Sequence, residues 1–425
     1  MTTTHQVAIT IVARVVPGSL DDLRATLAGM SANPRTSILP FGQMEGVHFA
    51  RLVIIPPTSG AAGNAGWSLA FLLDCDAPER DRLRQLVTTA GPGLDAVFEC
   101  CEGYPAEGAR SARGRLAYIR SHTRPAGACY VNTIGRTLRQ IQQEAALRLE
   151  LEHFLDSKQR EWAGRSATSV RSEILKFVAD RQDLRWATQP APKPSLTWRA
   201  GELLHLGRSL LLIVAVLPFA LMVAPFVVVA LRRRELTDPA ARLMPDDAHI
   251  EQLAAVEDLL PQNQFTAIGE VKPGRFRQVV ARTVLWLVNL GTRHIFNRGV
   301  LTGVKSIHAA RWVFLDDYRQ MAFSSNYDGS LENYMDDFID KVAWGLNAVF
   351  SNGMGYPRTN WLVREGATDE QAFKSYIRTR QKVSEVWYTA YGDLTTLNIA
   401  NNARIREGLH GQLDEAAATA WLRTL

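Results

Sequence analysis

Apolar and polar positions run through the same order of patterns twice along this chain. In the first stretch, Ala8 to Val16 alternates as a strand and stops at Pro17-Gly18, and Leu20, Leu23 and Leu27 recur at helical spacing. His48 to Ile55 and Ser68 to Leu73 read as two apolar strands, Arg80 to Val87 as an amphipathic helix, and Leu94 to Phe98 as a last strand. In the second stretch the order recurs: strand Phe265 to Val271, a helix marked by Phe276, Val279 and Val280, strands His308 to Leu315 and Met321 to Ser325, helix Leu331 to Ile339, and strand Leu346 to Phe350.

The two stretches are related residue by residue. Gly93-Leu-Asp-Ala-Val-Phe98 and the later Gly103-Tyr104-Pro105 match Gly345-Leu-Asn-Ala-Val-Phe350 and Gly355-Tyr356-Pro357. Val47-His48-Phe-Ala50-Arg51-Leu-Val53 matches Ile307-His308-Ala-Ala310-Arg311-Trp-Val313. Ala70-Phe71 with Asp76 matches Ala322-Phe323 with Asp328, and Pro17-Gly18 matches Pro273-Gly274. Four blocks in one order, so far apart, predict a duplicated domain rather than a short-period solenoid. The first copy carries extra Gly-, Ala- and Pro-rich residues between Pro56 and Trp67, which read as a longer hairpin loop.

The order βαββαβ is the ferredoxin-like split motif. Two such modules commonly pack sheet to sheet, and in this the chain resembles the dimeric α/β-barrel superfamily, whose haem-binding members are the chlorite dismutases and dye-decolourising peroxidases. The expected fold class is therefore α+β, with two ferredoxin-like modules forming an intramolecular pseudo-dimeric α/β barrel. Expected boundaries are a first module over 1–130, a helical extension over 131–185, a linker over 186–262, a second module over 263–365 and a helical, polar extension over 366–425.

The linker holds the least globular pattern in the chain. Leu210 to Leu231 is uncharged and almost wholly aliphatic, Arg199 and Arg208 precede it, and Arg232-Arg233-Arg234 follows. As a helix it would reach about 33 Å, enough for a bilayer core of about 30 Å. Pro218 and Pro225 interrupt it, and each removes a backbone donor. If both modules share one barrel, a single crossing would separate them. The segment would then dip and return, lie in the interface, span while each module pairs with another chain, or form a buried core helix. Membrane lipid is thus an expected partner, with both modules facing the cytoplasm.

Composition adds little to this. The 425 residues are 46% hydrophobic and 21% charged, with net charge +5, which is ordinary globular composition. No basic stripe is interleaved with aromatics, so nucleic acid is not an expected partner. Cys75, Cys100, Cys101 and Cys129 form no CxxC pair, so no metal site is expected, and buried thiols in a reducing compartment are the simple reading. The N-terminus lacks the basic and apolar regions of a secretory signal. No hydrolase elbow, P-loop, zinc-protease or dinucleotide motif is present in context.

The candidate chemistry lies in the duplicated residues. His48 and Arg51 recur as His308 and Arg311. Residues three apart on a strand face opposite sides unless the strand bulges, so the pair would share a face only at a bulge. They are expected either to line a cavity, or to be strand-end histidines bonded to backbone and arginines paired with carboxylates. His48, Arg51 and Tyr356 are the substrate-binding candidates, and His308 and Arg311 the catalytic ones. The resemblance implies further roles. Asp328, in Asn326-Tyr-Asp-Gly-Ser330, is similar to the catalytic Asp of the peroxidases' GxxDG motif, although the first Gly is missing; the alternative is a helix cap by Asp328 or Ser330. A haem would need an axial histidine, for which His294, in Thr292-Arg-His-Ile-Phe-Asn-Arg298, is the candidate cofactor ligand. Two functions follow as expectations. One is a membrane-associated protein that binds a small apolar or lipid-derived molecule, with haem-dependent peroxidase-like oxidation as its enzymatic form. The other is a non-catalytic, membrane-tethered scaffold for a protein partner.

Overall fold

A computed structural model describes residues 5–58, 66–162, 164–238 and 243–425. Most of the first copy's long hairpin loop lies outside the described residues.

The first half runs β1 (Gln6–Arg14), α1 (Leu20–Ser31), β2 (Val47–Ile55), β3 (Ser68–Asp76), α2 (Glu79–Thr89), α3 (Gly91–Phe98), α4 (Ala112–His122), β4 (Ala128–Val131), α5 (Leu138–Trp162) and α6 (Ala167–Asp180). The linker holds α7 (Leu196–Thr237) and α8 (Asp247–Ala254). The second half runs β5 (Gln262–Glu270), α9 (Arg275–His294), β6 (Ile307–Leu315), β7 (Gln320–Asp328), α10 (Leu331–Phe350), β8 (Thr359–Asn360), β9 (Arg364–Glu365), α11 (Glu370–Arg380), β10 (Val386–Thr389), α12 (Thr396–Glu407) and α13 (Glu415–Leu422). The chain is mixed α/β with antiparallel sheets and one long apolar helix.

Eight of the strands form two four-stranded sheets, in the orders β1-β3-β2-β10 and β4-β6-β7-β5, and β8 pairs with β9. The fourth strand of each sheet comes from the opposite half. β10 pairs with β2, Tyr388 opposite Ala50, and β4 pairs with β6, Tyr130 opposite Ala310. The cores follow the same exchange. Val386, Tyr388 and Ile399 close the core of the first half, and Ala128 and Tyr130 close that of the second. A third apolar cluster, with Val53, Leu72, Ile268 and Val313, joins residues of both sheets.

The strands expected at Leu94–Phe98 and Leu346–Phe350 are instead helical, as α3 and the end of α10. The physical reason is local. Gly91-Pro92-Gly93 starts α3 with proline in its first turn, where its missing N–H costs nothing. A Cβ at Gly93 would come within 1.9 Å of the Ile38 carbonyl, so only glycine lets this helix approach that chain. The copies also break alike. Ala90 (φ −116°, ψ 22°) divides α2 from α3, and its counterpart Val342 (φ −141°, ψ 21°) kinks α10. Where a sixth element strand was expected beside β1, there are only single bridges, Val15 to Cys101 and Ile11 to Thr123. The second half repeats them as Val271 to Gly353 and Ala267 to Gln381.

Candidate functional site

A β-bulge falls at each duplicated histidine, between Val47 and Phe49 and between Ile307 and Ala309. The alternation that would separate each histidine from the arginine three residues on is therefore broken. Each histidine meets the aspartate that ends the neighbouring strand. His48 Nε2 lies 2.9 Å from Asp76 Oδ1, and His308 Nε2 lies 2.6 Å from Asp328 Oδ1. The second oxygen of each aspartate receives the first N–H of a helix. Leu138 of α5 donates to Asp76 Oδ2 at 3.2 Å, and Thr396 of α12 donates its N–H to Asp328 Oδ2 at 2.8 Å and its hydroxyl at 2.7 Å. Each carboxylate thus orients an imidazole and satisfies a helix N-terminus, where negative charge is favourable.

Around the histidines the halves differ. Tyr391 places its hydroxyl 2.6 Å from His48 Nδ1, and its counterpart in the first half is Thr133. A His48 that donates from Nε2 to Asp76 leaves Nδ1 as the acceptor of that hydroxyl. Phe49, Tyr391 and His308 pack ring on ring beside it, with centroids 4.9 to 5.4 Å apart. Burial, reinforced by Asp76 and Asp74, pushes the Tyr391 phenol well above its ordinary range. Asp76, His48 and Tyr391 thus form a hydrogen-bonded line in which the hydroxyl stays protonated.

The arginines cross between the sheets. Arg51, on β2, donates to the Phe265 carbonyl (2.8 Å), the Thr266 hydroxyl (2.9 Å), the Ser325 carbonyl (2.9 Å) and the Asn326 side chain, all on β5 and β7. Arg311, on β6, donates to the carbonyls of Ile9 (2.7 Å) and Leu73 (2.9 Å) on β1 and β3, and pairs with Asp74. Both arginines are 2% exposed. Burial, countered only in part by Asp74, pushes the Arg51 guanidinium down to about 9.

The other candidates lie apart from this cluster. Tyr356 is buried and donates to Asn347 Oδ1 at 2.8 Å, which also receives the Ala367 N–H. Asp328 does not cap α10; Ser330 does, accepting from the Asn333 N–H. His294 sits at the end of α9, its Nε2 2.9 Å from His205 Nδ1 of α7. His294 and His308 thus have different surroundings, His294 against α7 and His308 among Asp328, Phe49 and Tyr391. Between the sheets the aliphatic cluster packs closely, and a cavity lined by Thr10, Val53, Leu72, Thr266, Ile268 and Val313 has about 10 Å³, roughly the least that holds one water. The large opening, a cleft of about 1310 Å³, lies between the two halves at other residues. Its wall includes Arg14, His122, Arg124, Arg282, Trp286 and Phe314, and none of the seven candidate residues named from the sequence, His48, Arg51, His294, His308, Arg311, Asp328 and Tyr356.

Sequence reasoning missed Tyr391 and the helix-capping role of the two aspartates. A signal was present. Tyr118-Ile119-Arg120 recurs as Tyr376-Ile377-Arg378, and Tyr130, Thr137 and Ile141 recur as Tyr388, Thr395 and Ile399, all at one offset. The duplication therefore continues through α4, β4 and the start of α5, and Thr133 against Tyr391 stands out within it.

A scan against protein-family models, a search of curated proteins and a search of solved structures each return no match to this chain.

Proposed function

We propose that this chain is a membrane-associated binding protein, built as two ferredoxin-like halves of the dimeric α/β-barrel kind, that takes a small apolar or lipid-derived ligand in the cleft between its halves. The observation that carries the reading is α7. Among the described residues it is the one helix long and apolar enough to cross a membrane, by length and composition. Its most apolar stretch is uncovered by the rest of the chain, with Leu211 70%, Phe219 60% and Phe226 76% exposed. So large an apolar surface in water is costly, and marks an interaction with lipid or protein. Arginines at both ends suit anionic headgroups. The four free cysteines fit the reducing side of such a membrane.

The non-catalytic form of this reading is favoured by how completely the duplicated residues are used. His48, Arg51, His308 and Arg311 are buried and bond within the fold, Arg51 and Arg311 to backbone of the opposite sheet, which suits a role in locking the halves together. The reciprocal strand exchange supports the superfamily reading, because each half completes the other's sheet.

Flotation of the purified full chain with vesicles containing anionic lipid tests the proposal. The chain should float, and Leu211→Glu/Phe219→Glu/Phe226→Glu should stay folded in solution and sink. Extraction of the floated protein should recover a bound apolar compound that Trp286→Asp, in the cleft wall, no longer retains. A wild-type chain that sinks with every lipid composition overturns the membrane reading.

A further inference from the structure

We infer that the Leu210–Leu231 segment lies within one leaflet, parallel to the bilayer surface, so that both halves stay on the same side. This rests on the membrane reading above.

Both ends of α7 are fastened to one helix and its surroundings. At the N-terminal end, Glu202 receives two bonds from Arg293 of α9, each 2.6 Å, and His205 meets His294. At the C-terminal end, Arg234 stacks over Phe276, at the start of α9, at 4.4 Å. Asp238 takes Lys272 and Arg277, each at 2.6 Å. Glu235, 1% exposed, accepts from the N–H groups of Trp361 (3.0 Å) and Leu362 (2.7 Å) and from the Thr359 hydroxyl (3.0 Å). Trp361 and Leu362 both have left-handed backbone (φ 55° and 67°), which turns two consecutive N–H groups onto the carboxylate.

A crossing helix would have to carry α9 with it or let go of one end. α9 cannot follow, because Arg277 and Arg282 interrupt it and its Ala281 and Leu285 are buried in the body. Releasing the C-terminal end would strand Glu235, Arg277 and Lys272, charges that are buried and paired. An in-plane helix ordinarily brings its own polar face, and this one has none. Here the protein body takes that place only at the two ends, where Ser209 and Leu231 are buried, while Val214 to Phe219 and Pro225 to Val229 are exposed all round and free for acyl chains. The two arginine groups then sit in one headgroup layer.

The test uses the full chain bound to preformed sealed vesicles containing anionic lipid. With Cys75, Cys100, Cys101 and Cys129 replaced by alanine, a single cysteine is placed at exposed Ser157 of the first half or exposed Gln371 of the second. An impermeant maleimide added outside should label both variants to the same extent, with no further labelling after detergent. Protection of one site until detergent is added would overturn the inference while leaving membrane binding intact. A second arm joins Glu202→Cys to Arg293→Cys with a short bis-maleimide. Flotation unchanged by the cross-link supports the docked geometry, and flotation lost with the cross-link in place overturns it. A chain that never floats but forms a dimer through α7 would remove the membrane reading and this inference together.

Discussion

Asp74 and Asn326 stand at equivalent places in the two halves, so one carboxylate serves two buried guanidinium groups. Asp74 pairs with Arg311 and also receives the Asn326 amide N–H at 3.2 Å, and the Asn326 oxygen in turn accepts from Arg51. The amide relays the carboxylate toward the second arginine. Removing one partner of a buried ion pair costs about 3–5 kcal/mol, because the other charge is left without compensation. Arg311→Met should therefore lower the unfolding free energy read from urea titration by about 3–5 kcal/mol, and it also orphans the carbonyls of Ile9 and Leu73. Arg311→Met/Asp74→Asn should recover part of the loss, since the unpaired carboxylate is gone. A single variant as stable as wild type would show that the inter-sheet arginines are dispensable.

The two ends of α7 are fastened by different chemistry, and only one should respond to mild acid. The His205–His294 contact needs one N–H and one lone pair, so it fails when both rings carry a second proton. Burial, helped by His205 and Arg293 and opposed by Glu202, holds the His294 pKa below its ordinary value of 6.5. A histidine with a lowered folded-state pKa favours the docked state above 6.5, and that contribution is lost as pH falls through the folded value. The groups facing the pair are Glu202, Arg293 and, through Glu202, His5. Proteolysis in the Pro190–Pro194 stretch should accelerate as pH falls below about 6.5, and His205→Gln should flatten that response. A rate that does not change with pH would show that the Glu202–Arg293 pair holds this end alone.

Element by element, the sequence was most readable where the periodicity was long and least readable where close packing decided the outcome. The duplicated strands carry enough apolar alternation to announce themselves. Leu94 to Phe98 is short and apolar, a length at which strand and helix patterns coincide, and the deciding contact is between Gly93 and the distant Ile38 carbonyl. The candidate site was legible only as residues. The spacing of His48 and Arg51 flagged duplication, but the partners Asp76, Tyr391 and Asn326 lie 28, 343 and 275 residues away from them, and no local pattern encodes such a meeting.

For the whole molecule, the reciprocal exchange of β4 and β10 makes each half incomplete. A fragment ending in the linker would leave the β2 edge unpaired and β4 without a sheet, and unpaired edges seek partners. The halves are alike enough that a second copy could supply the strand, but the charges make the two homodimers unequal. In a homodimer of 1–195, each Arg51 would face a second copy's Asp74, giving two balanced pairs. In a homodimer of 243–425, each Arg311 would face Asn326, leaving two buried guanidinium groups with no carboxylate, a costly arrangement. The mixed pair is the native one, and it alone also gives His48 its Tyr391 hydroxyl. The first fragment should therefore dimerise and unfold cooperatively, the second should aggregate or remain loosely folded, and mixing should draw the first out of its homodimer into a heterodimer. Analytical ultracentrifugation of each fragment and of the mixture reads this directly. A cooperatively folded, monomeric first fragment would mean that β10 is an accessory and that the exchange does not hold the fold together.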